Sequence, residues 1–474
     1  MPALSQGRSA SPRLVLVIVC AGVVLASLDL FIVNVALPSM AHSFGATGLG
    51  DLSWVLNAYA IVYASLLVLF GRLADRYRRD RGFLVGVAVF VAASAACAAA
   101  TSLPMLVAFR ILQAAGAALL TPTSLGLILA TSPPERRHSA VRTWTAVGGL
   151  AAALGPAVGG VLVAASWRWV FLVNVPIGLA ALLAGWRLLP AVAGHRVPRP
   201  DALSALLITG GVGLLTLGLV EGGTWGWGSD RTTGVLGLAA VALALFAIRT
   251  ARHSNPLIDR ALFRVRPFTG ASAVALVFSM AFGAMLLSRV LWAQDVWHWS
   301  ALTTGLSIVP GPMMVPLFSF LLAGPLIARF GSGMVIAAGS TIFAAGMAWM
   351  ALAVTIAPDY VGEVLGGLLL TGAGVGLTLP TLMATAASSL PPSAFSTGSA
   401  VVNMLRQVGL AIGVAVLIAV LGSPRTPAAT LAAYQRGWTV TAAIALASGI
   451  VGLVLLVSRP RTTAATAVAA QSVR

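Results

Sequence analysis

The stretch Gly71–Arg81 reads GRLADRYRRDR and lies between two long apolar runs. Its eleven residues hold five arginines and two aspartates, in a chain that is 59% hydrophobic and 9% charged. A short basic connection between two membrane-length segments marks the cytoplasmic side of a helical hairpin, because basic loops are retained inside during insertion. The stretch therefore points to a class, a helical membrane protein, and to an orientation.

Working outward from it, the composition agrees. Mean hydropathy is +0.97 over 474 residues, which leaves far too little polar surface for a soluble fold. Apolar runs able to cross a ~30 Å hydrocarbon core recur at 14–38, 52–70, 83–101, 104–130, 142–165, 168–189, 202–220, 233–250, 268–290, 303–328, 334–356, 361–386, 398–421 and 438–457. An even number of spans puts both termini on one side. The basic residues test that layout. All 29 are arginine, and 22 fall on the side of the Gly71–Arg81 connection. Arg168, Arg231, Arg289, Arg425 and Arg436 are assigned to the other side, and Arg110 and Arg406 to spans. Both termini are thus expected in the cytoplasm. The first run, Leu14 to Pro38, is too long for a signal-peptide core and carries Asp29 and Asn34, so it reads as a retained helix.

The net charge of +17 does not indicate a nucleic-acid partner, because the arginines are sorted by membrane side and not gathered on one face. Cys20 and Cys97 fall inside spans and read as inert thiols. The two Cys and five His show no metal-ligand spacing. No nucleotide-binding P-loop is present, and no nucleophile–base constellation marks an enzyme. ATP is therefore not the expected energy source, and no cofactor is expected.

The chain also repeats itself. Gly71-Arg-Leu-Ala-Asp-Arg-Tyr77 is echoed by Gly324-Pro-Leu-Ile-Ala-Arg-Phe330, with Ala328 where the first copy has Asp75. Each copy follows the second helix of a six-helix half, if the halves are spans 1–6 and 9–14. The expected organisation is a cytoplasmic N-terminus (1–13), a first bundle (14–189), an inserted helix pair with its loops (190–267), a second bundle (268–457) and a cytoplasmic tail (458–474).

Chemistry in a span is expensive and therefore informative. Asp29 lies ~22 Å along the first helix, where a carboxylate must face a cavity, be paired or be protonated. Arg110 sits in the fourth span with Gln113 one turn on, so the two point the same way. Asp29 and Arg110 form the obvious pair. A purely structural carboxylate, or an arginine bound to backbone carbonyls, is the plainer reading of each. Gly155, Pro156, Gly159 and Gly160 offer the fifth span a kink and a flat packing face. Asn403 and Gln407 are four apart in span 13, either lining a cavity or merely packing.

These segments carry a family resemblance. Gly71, Leu73, Asp75, Arg76 and Arg79 resemble the helix 2–3 signature of the major facilitator superfamily of transporters, although Arg78 stands where that family has Gly. The resemblance implies that Gly71, Asp75, Arg76 and Arg79 latch the cytoplasmic end. Leu28-Asp-Leu-Phe-Ile-Val-Asn-Val-Ala-Leu-Pro38 resembles the first-helix motif of the 14-spanning drug:proton antiporters, with Phe31 where Thr is common. It implies that Asp29 serves proton coupling or cation recognition. Arg110, Gln113 and Gly116 resemble the fourth-helix motif tied to proton transfer, with Ala114 in place of a common Gly. Leu154–Gly160 resembles the exporter motif, Trp167–Gly178 the sixth-helix segment, and Asn403, Arg406, Gln407, Gly409 and Gly413 the span-13 pattern of the same family.

What the resemblance implies is an all-α membrane protein of the major facilitator fold, with two six-helix bundles plus two inserted helices. Such bundles are related about the membrane normal and rock around a central site. The implied function is proton-coupled export of hydrophobic drugs or antibiotics by a monomer in a bacterial plasma membrane. Phe31, Asn34, Gln113, Asn403, Arg406 and Gln407 become cavity candidates. Two alternatives remain: transport of a polar metabolite, which calls for more charged cavity groups, and a membrane sensor or scaffold that has lost transport.

Overall fold

The computed structural model describes residues 11–44, 49–194, 201–253, 256–391, 394–422, 424 and 426–456. The expected tail 458–474, and residues 1–10 of the expected N-terminus, lie outside the described residues. Helices follow one another as α1 (Pro12–Phe44), α2 (Leu49–Arg76), α3 (Arg79–Ala98), α4 (Leu103–Thr131), α5 (Arg137–Ala165), α6 (Trp169–Leu188) and α7 (Ala202–Trp225). They continue as α8 (Asp230–Arg252), α9 (Arg266–Val296), α10 (Leu302–Phe330), α11 (Ser332–Ala353), α12 (Tyr360–Ser388), α13 (Phe395–Leu421) and α14 (Pro427–Leu456). Among the described residues 13 helices are long and apolar enough to cross a membrane. The fourteenth is α5, whose parts Pro134–Ala152 and Ala157–Ala165 meet at 45°. The break between them, residues 153–156, contains Gly155 and Pro156, and a proline removes a backbone donor from the helix ladder.

The repeat read from sequence reappears as packing. In the first bundle α1 packs on α4, α5 and α6, α4 on α2 and α3, and α3 on α6. Adding eight to each label gives the second bundle: α9 on α12, α13 and α14, α12 on α10 and α11, and α11 on α14. The contacts between bundles obey the same rule, with α2 against α13 matching α10 against α5. Helix α7 lies on α2 and α13, and α8 packs chiefly on α7, at the periphery. The pair is tied together by Asp201, which accepts from Arg249 Nη2 at 3.0 Å and caps α7 through Leu203 N. The hydrogen bonds from Arg249 and Ser204 hold the Asp201 carboxyl below the usual carboxylate range.

Two expectations change. Gly71–Arg81 is not a loop: α2 runs to Arg76 and α3 starts at Arg79, leaving Tyr77 and Arg78 between them. Arg78 turns the chain in extended geometry, φ −64° and ψ 118°, so this turn needs no glycine. Arg289, assigned to an outer loop, is buried in α9 at 2% exposure. The helix continues past it as a π turn through Trp292–Val296, which carries the apolar cover beyond the arginine.

Candidate functional site

Five helices of the first bundle converge on Asp29. Arg110 Nη1 of α4 donates to Asp29 Oδ2, and Arg110 Nε donates to the Val55 carbonyl of α2 at 3.0 Å. Gln113 Nε2 donates to Asp29 Oδ1 at 2.9 Å and to Ser94 Oγ of α3 at 2.8 Å, while its Oε1 accepts from Arg110 at 2.6 Å. Asn174 Nδ2 of α6 reaches Asp29 Oδ1 at 3.2 Å. The Arg110 guanidinium lies 4.2 Å from the Tyr59 ring centroid, a cation–π contact. Asp29, Arg110, Gln113 and Asn174 are all fully buried. A charge pair taken out of water is tolerable only when its remaining donors and acceptors are satisfied, and these neighbours do most of that.

The predicted pairing of Asp29 with Arg110 is therefore present. Gln113, expected on a cavity wall, is instead enclosed with the pair. Asn174 and Ser94 carry no assigned role in the sequence reading; Asn174 lies within the Trp167–Gly178 segment, and Ser94 is only a neutral polar residue inside an apolar run.

The second constellation crosses from one bundle to the other. Asp75, at the end of α2, is wholly buried. Its Oδ1 accepts from Arg79 Nη2 and from the backbone N of Ser396, both at 2.9 Å. Its Oδ2 accepts from Thr397 N at 2.6 Å. Arg79 Nε also donates to Ser396 Oγ at 3.2 Å. Residues 396 and 397 open α13, so the carboxylate of one bundle caps the N-terminus of a helix in the other. Backbone N–H groups and helix dipole both favour an anion there. Gly71 lets the helices close up: a Cβ at that position would run into Ala400 and come within 2.9 Å of the Ser396 carbonyl oxygen. Arg76 is half-buried, with its guanidinium 5.8 Å from the Tyr77 ring. At the same end His138 of α5 meets Ser388 of α12 at 3.2 Å.

The glycines of α5 face α1 beside the charge cluster. A Cβ at Gly155 would come within 3.0 Å of Phe31 Cβ, and one at Gly159 within 2.9 Å of the Ile32 carbonyl oxygen. Gly160 faces Leu302 of α10 in the other bundle. The side chains of Asn34 and Pro156 lie outside the described residues. On α13, Asn403 is buried and accepts from Arg406 Nη1 at 3.1 Å, while Arg406 and Gln407 are half-buried. Cys20 and Cys97 are buried free thiols.

A profile of the Major Facilitator Superfamily matches residues 19–414. The tetracenomycin C resistance and export protein of Streptomyces glaucescens is 33% identical over 426 residues, 88% of this chain and 78% of that protein. The cephamycin export protein of Amycolatopsis lactamdurans is 35% identical over 420 residues, 86% of this chain and 85% of its own length. Among solved structures, the human organic anion transporter MFSD10 matches with a TM-score of 0.64, covering 93% of this chain and 99% of its own, at 15% identity. That last likeness is one of fold alone.

Proposed function

Because the chain belongs to the Major Facilitator Superfamily, we propose that it is a proton-coupled exporter of hydrophobic drugs or antibiotics, acting as a monomer in a bacterial plasma membrane. Relatives named for antibiotic export, at 33% and 35% identity along most of their length, support export as the direction. The end bearing the α2–α3 turn is read as cytoplasmic, from the sorting of arginines. The structure then corresponds to the state closed toward the cytoplasm, with the Asp75 latch engaged.

Coupling rests on one observation: Asp29 and Arg110 neutralise each other inside the first bundle. A proton delivered to Asp29 removes the counter-charge of Arg110. A buried arginine without a partner costs about 3–5 kcal/mol, so Arg110 must move, and α4 with it. Helix α4 packs against α13, so this movement reaches the seam between bundles. An inward proton supplies ~2.3 kcal/mol per 100 mV of membrane potential. The cycle is then alternating access, with the two bundles rocking about the central site.

The test is twofold. Expression in an efflux-deficient host should raise resistance to some members of a drug panel. In inverted vesicles the exported compound should accumulate on an imposed proton gradient, and Asp29→Asn should abolish that uphill accumulation while downhill exchange survives. Asn keeps size and hydrogen bonding but cannot exchange a proton. Accumulation by the variant at the wild-type rate makes Asp29 structural and moves coupling elsewhere.

A further inference from the structure

We propose that the cargo of this exporter is an anion, carrying a carboxylate or an ionised phenol, and that Arg406 receives it at the seam between the bundles. The inference rests on the export reading above and specifies its substrate class.

Position comes first. Helices α2 and α13 run antiparallel from the latch, with Asp75 opposite Ser396 and Gly71 opposite Ala400. Continuing turn by turn brings Tyr63 level with the Arg406 region. Twelve residues along α2 from Asp75, at ~1.5 Å each, this layer lies ~18 Å from the latch. The Tyr63 hydroxyl also bonds Thr121 Oγ1 of α4 at 3.0 Å. Three seam helices, two from the first bundle and one from the second, thus meet around Arg406.

Charge comes second. The ion pairs among the described residues are Arg78–Asp80, Arg79–Asp75, Arg110–Asp29 and Arg249–Asp201. None involves Arg406. Its Nη1 donates to Asn403 Oδ1, and its Nε is buried with no hydrogen-bond partner. Asp29, the acid a cationic cargo would seek, is fully enclosed and already bound by Arg110, Gln113 and Asn174. Among the described residues, Arg406 is thus a positive charge at the seam that no carboxylate pairs with. A guanidinium held inside a membrane without its partner is costly, and a cargo anion passing through the seam supplies the partner. The planar fork donates two parallel bonds to a carboxylate, and Tyr63, its hydroxyl already bonded to Thr121, packs beside it. Exchange of one anion outward for one proton inward also moves two charges in the direction an inside-negative potential favours.

The experiment uses purified full-length protein in detergent at pH 8, with fluorescein as the anionic probe and ethidium as a cationic probe of similar size. Fluorescein anisotropy should report binding that ethidium does not displace. Arg406→Gln should weaken it about 10- to 100-fold, as expected for loss of hydrogen bonds to a charged group. Arg406→Lys, which keeps the charge and loses the fork, should fall between. Tyr63→Phe, which leaves the arginine in place, should cost less than Arg406→Gln. Unchanged affinity in Arg406→Gln, tighter binding of ethidium than fluorescein, or no fluorescein binding by the wild type each overturns the proposal. The resistance panel scores cargo of any charge, so export itself can stand while this assignment falls.

Discussion

Replacing Asp75 with Asn isolates the latch, because the side chain keeps its shape and loses its charge. In the structure two of the three donors to Asp75 come from the opposite bundle, Ser396 N at 2.9 Å and Thr397 N at 2.6 Å. The Asn carbonyl can accept from one of them, while its amide group faces the other. One hydrogen bond to a charged group, about 1.5–3 kcal/mol, is then lost between the bundles. The charge–dipole attraction at the start of α13, about 0.3–1 kcal/mol, goes with it. Together these amount to about 2–4 kcal/mol, a shift of roughly 30- to 800-fold in the ratio of latched to open molecules. Arg79, 1% exposed beside the lost carboxylate, pushes in the same direction. Spin labels at Arg81 and Pro391, both exposed on this end, with Cys20 and Cys97 replaced by Ala, report the separation by pulsed EPR. The parent should give one short distance; Asp75→Asn should transfer much of the population to a longer one and slow transport, with normal expression. Asp80→Asn is the control, since among the described residues Asp80 binds Arg78 and the Val192 backbone rather than α13. An unchanged distance and unchanged transport in Asp75→Asn would mean that the basic turn only sets topology.

Reporters fused after Arg474 and within the 190–200 segment should both read cytoplasmic, and a tag at Ser229 external; an external C-terminus breaks the fourteen-span layout. Gly159→Leu should lower thermal stability in detergent and abolish export, because even its Cβ lands 2.9 Å from the Ile32 carbonyl oxygen of α1, and overpacking of this kind costs about 1–3 kcal/mol or more. Wild-type melting and export in that variant would show that α5 can part from α1 freely.

The Asp29–Arg110 pair was legible because ionisable groups inside spans are few, and each needs a partner. With one acid and two arginines to match, the choice was nearly made by counting. Asn174 and Ser94 were not legible: a neutral amide or hydroxyl in an apolar run can bond its own helix, as Ser94 also does to Phe90. The receiver of Asp75 was hidden for a different reason. It is a pair of backbone N–H groups, and every helix start offers those. Arg289 was misplaced because hydropathy falls where Trp, Gln and Asp follow it, yet the helix keeps going through the π turn and buries it.

The two copies of the repeat differ in what each offers the opposite bundle. In the first copy, Gly71 and Asp75 meet the N-terminus of α13, where a carboxylate satisfies two backbone donors. In the second, Gly324 of α10 faces the Arg142 guanidinium of α5, 3.4 Å from where a Cβ would stand, and Ala328 offers no acid. The two seams pair corresponding helices, and among the described residues the buried charge-assisted bonds across them are those of Asp75 and Arg79 to α13. Separating the bundles at this end breaks the Asp75 and Arg79 contacts with α13, together with His138–Ser388 and the stacking of Arg137 on Phe395. Introducing the missing acid, Ala328→Asp, should lengthen the lifetime of the latched state, and a variant that opens as readily as the parent would place the control of opening outside this repeat.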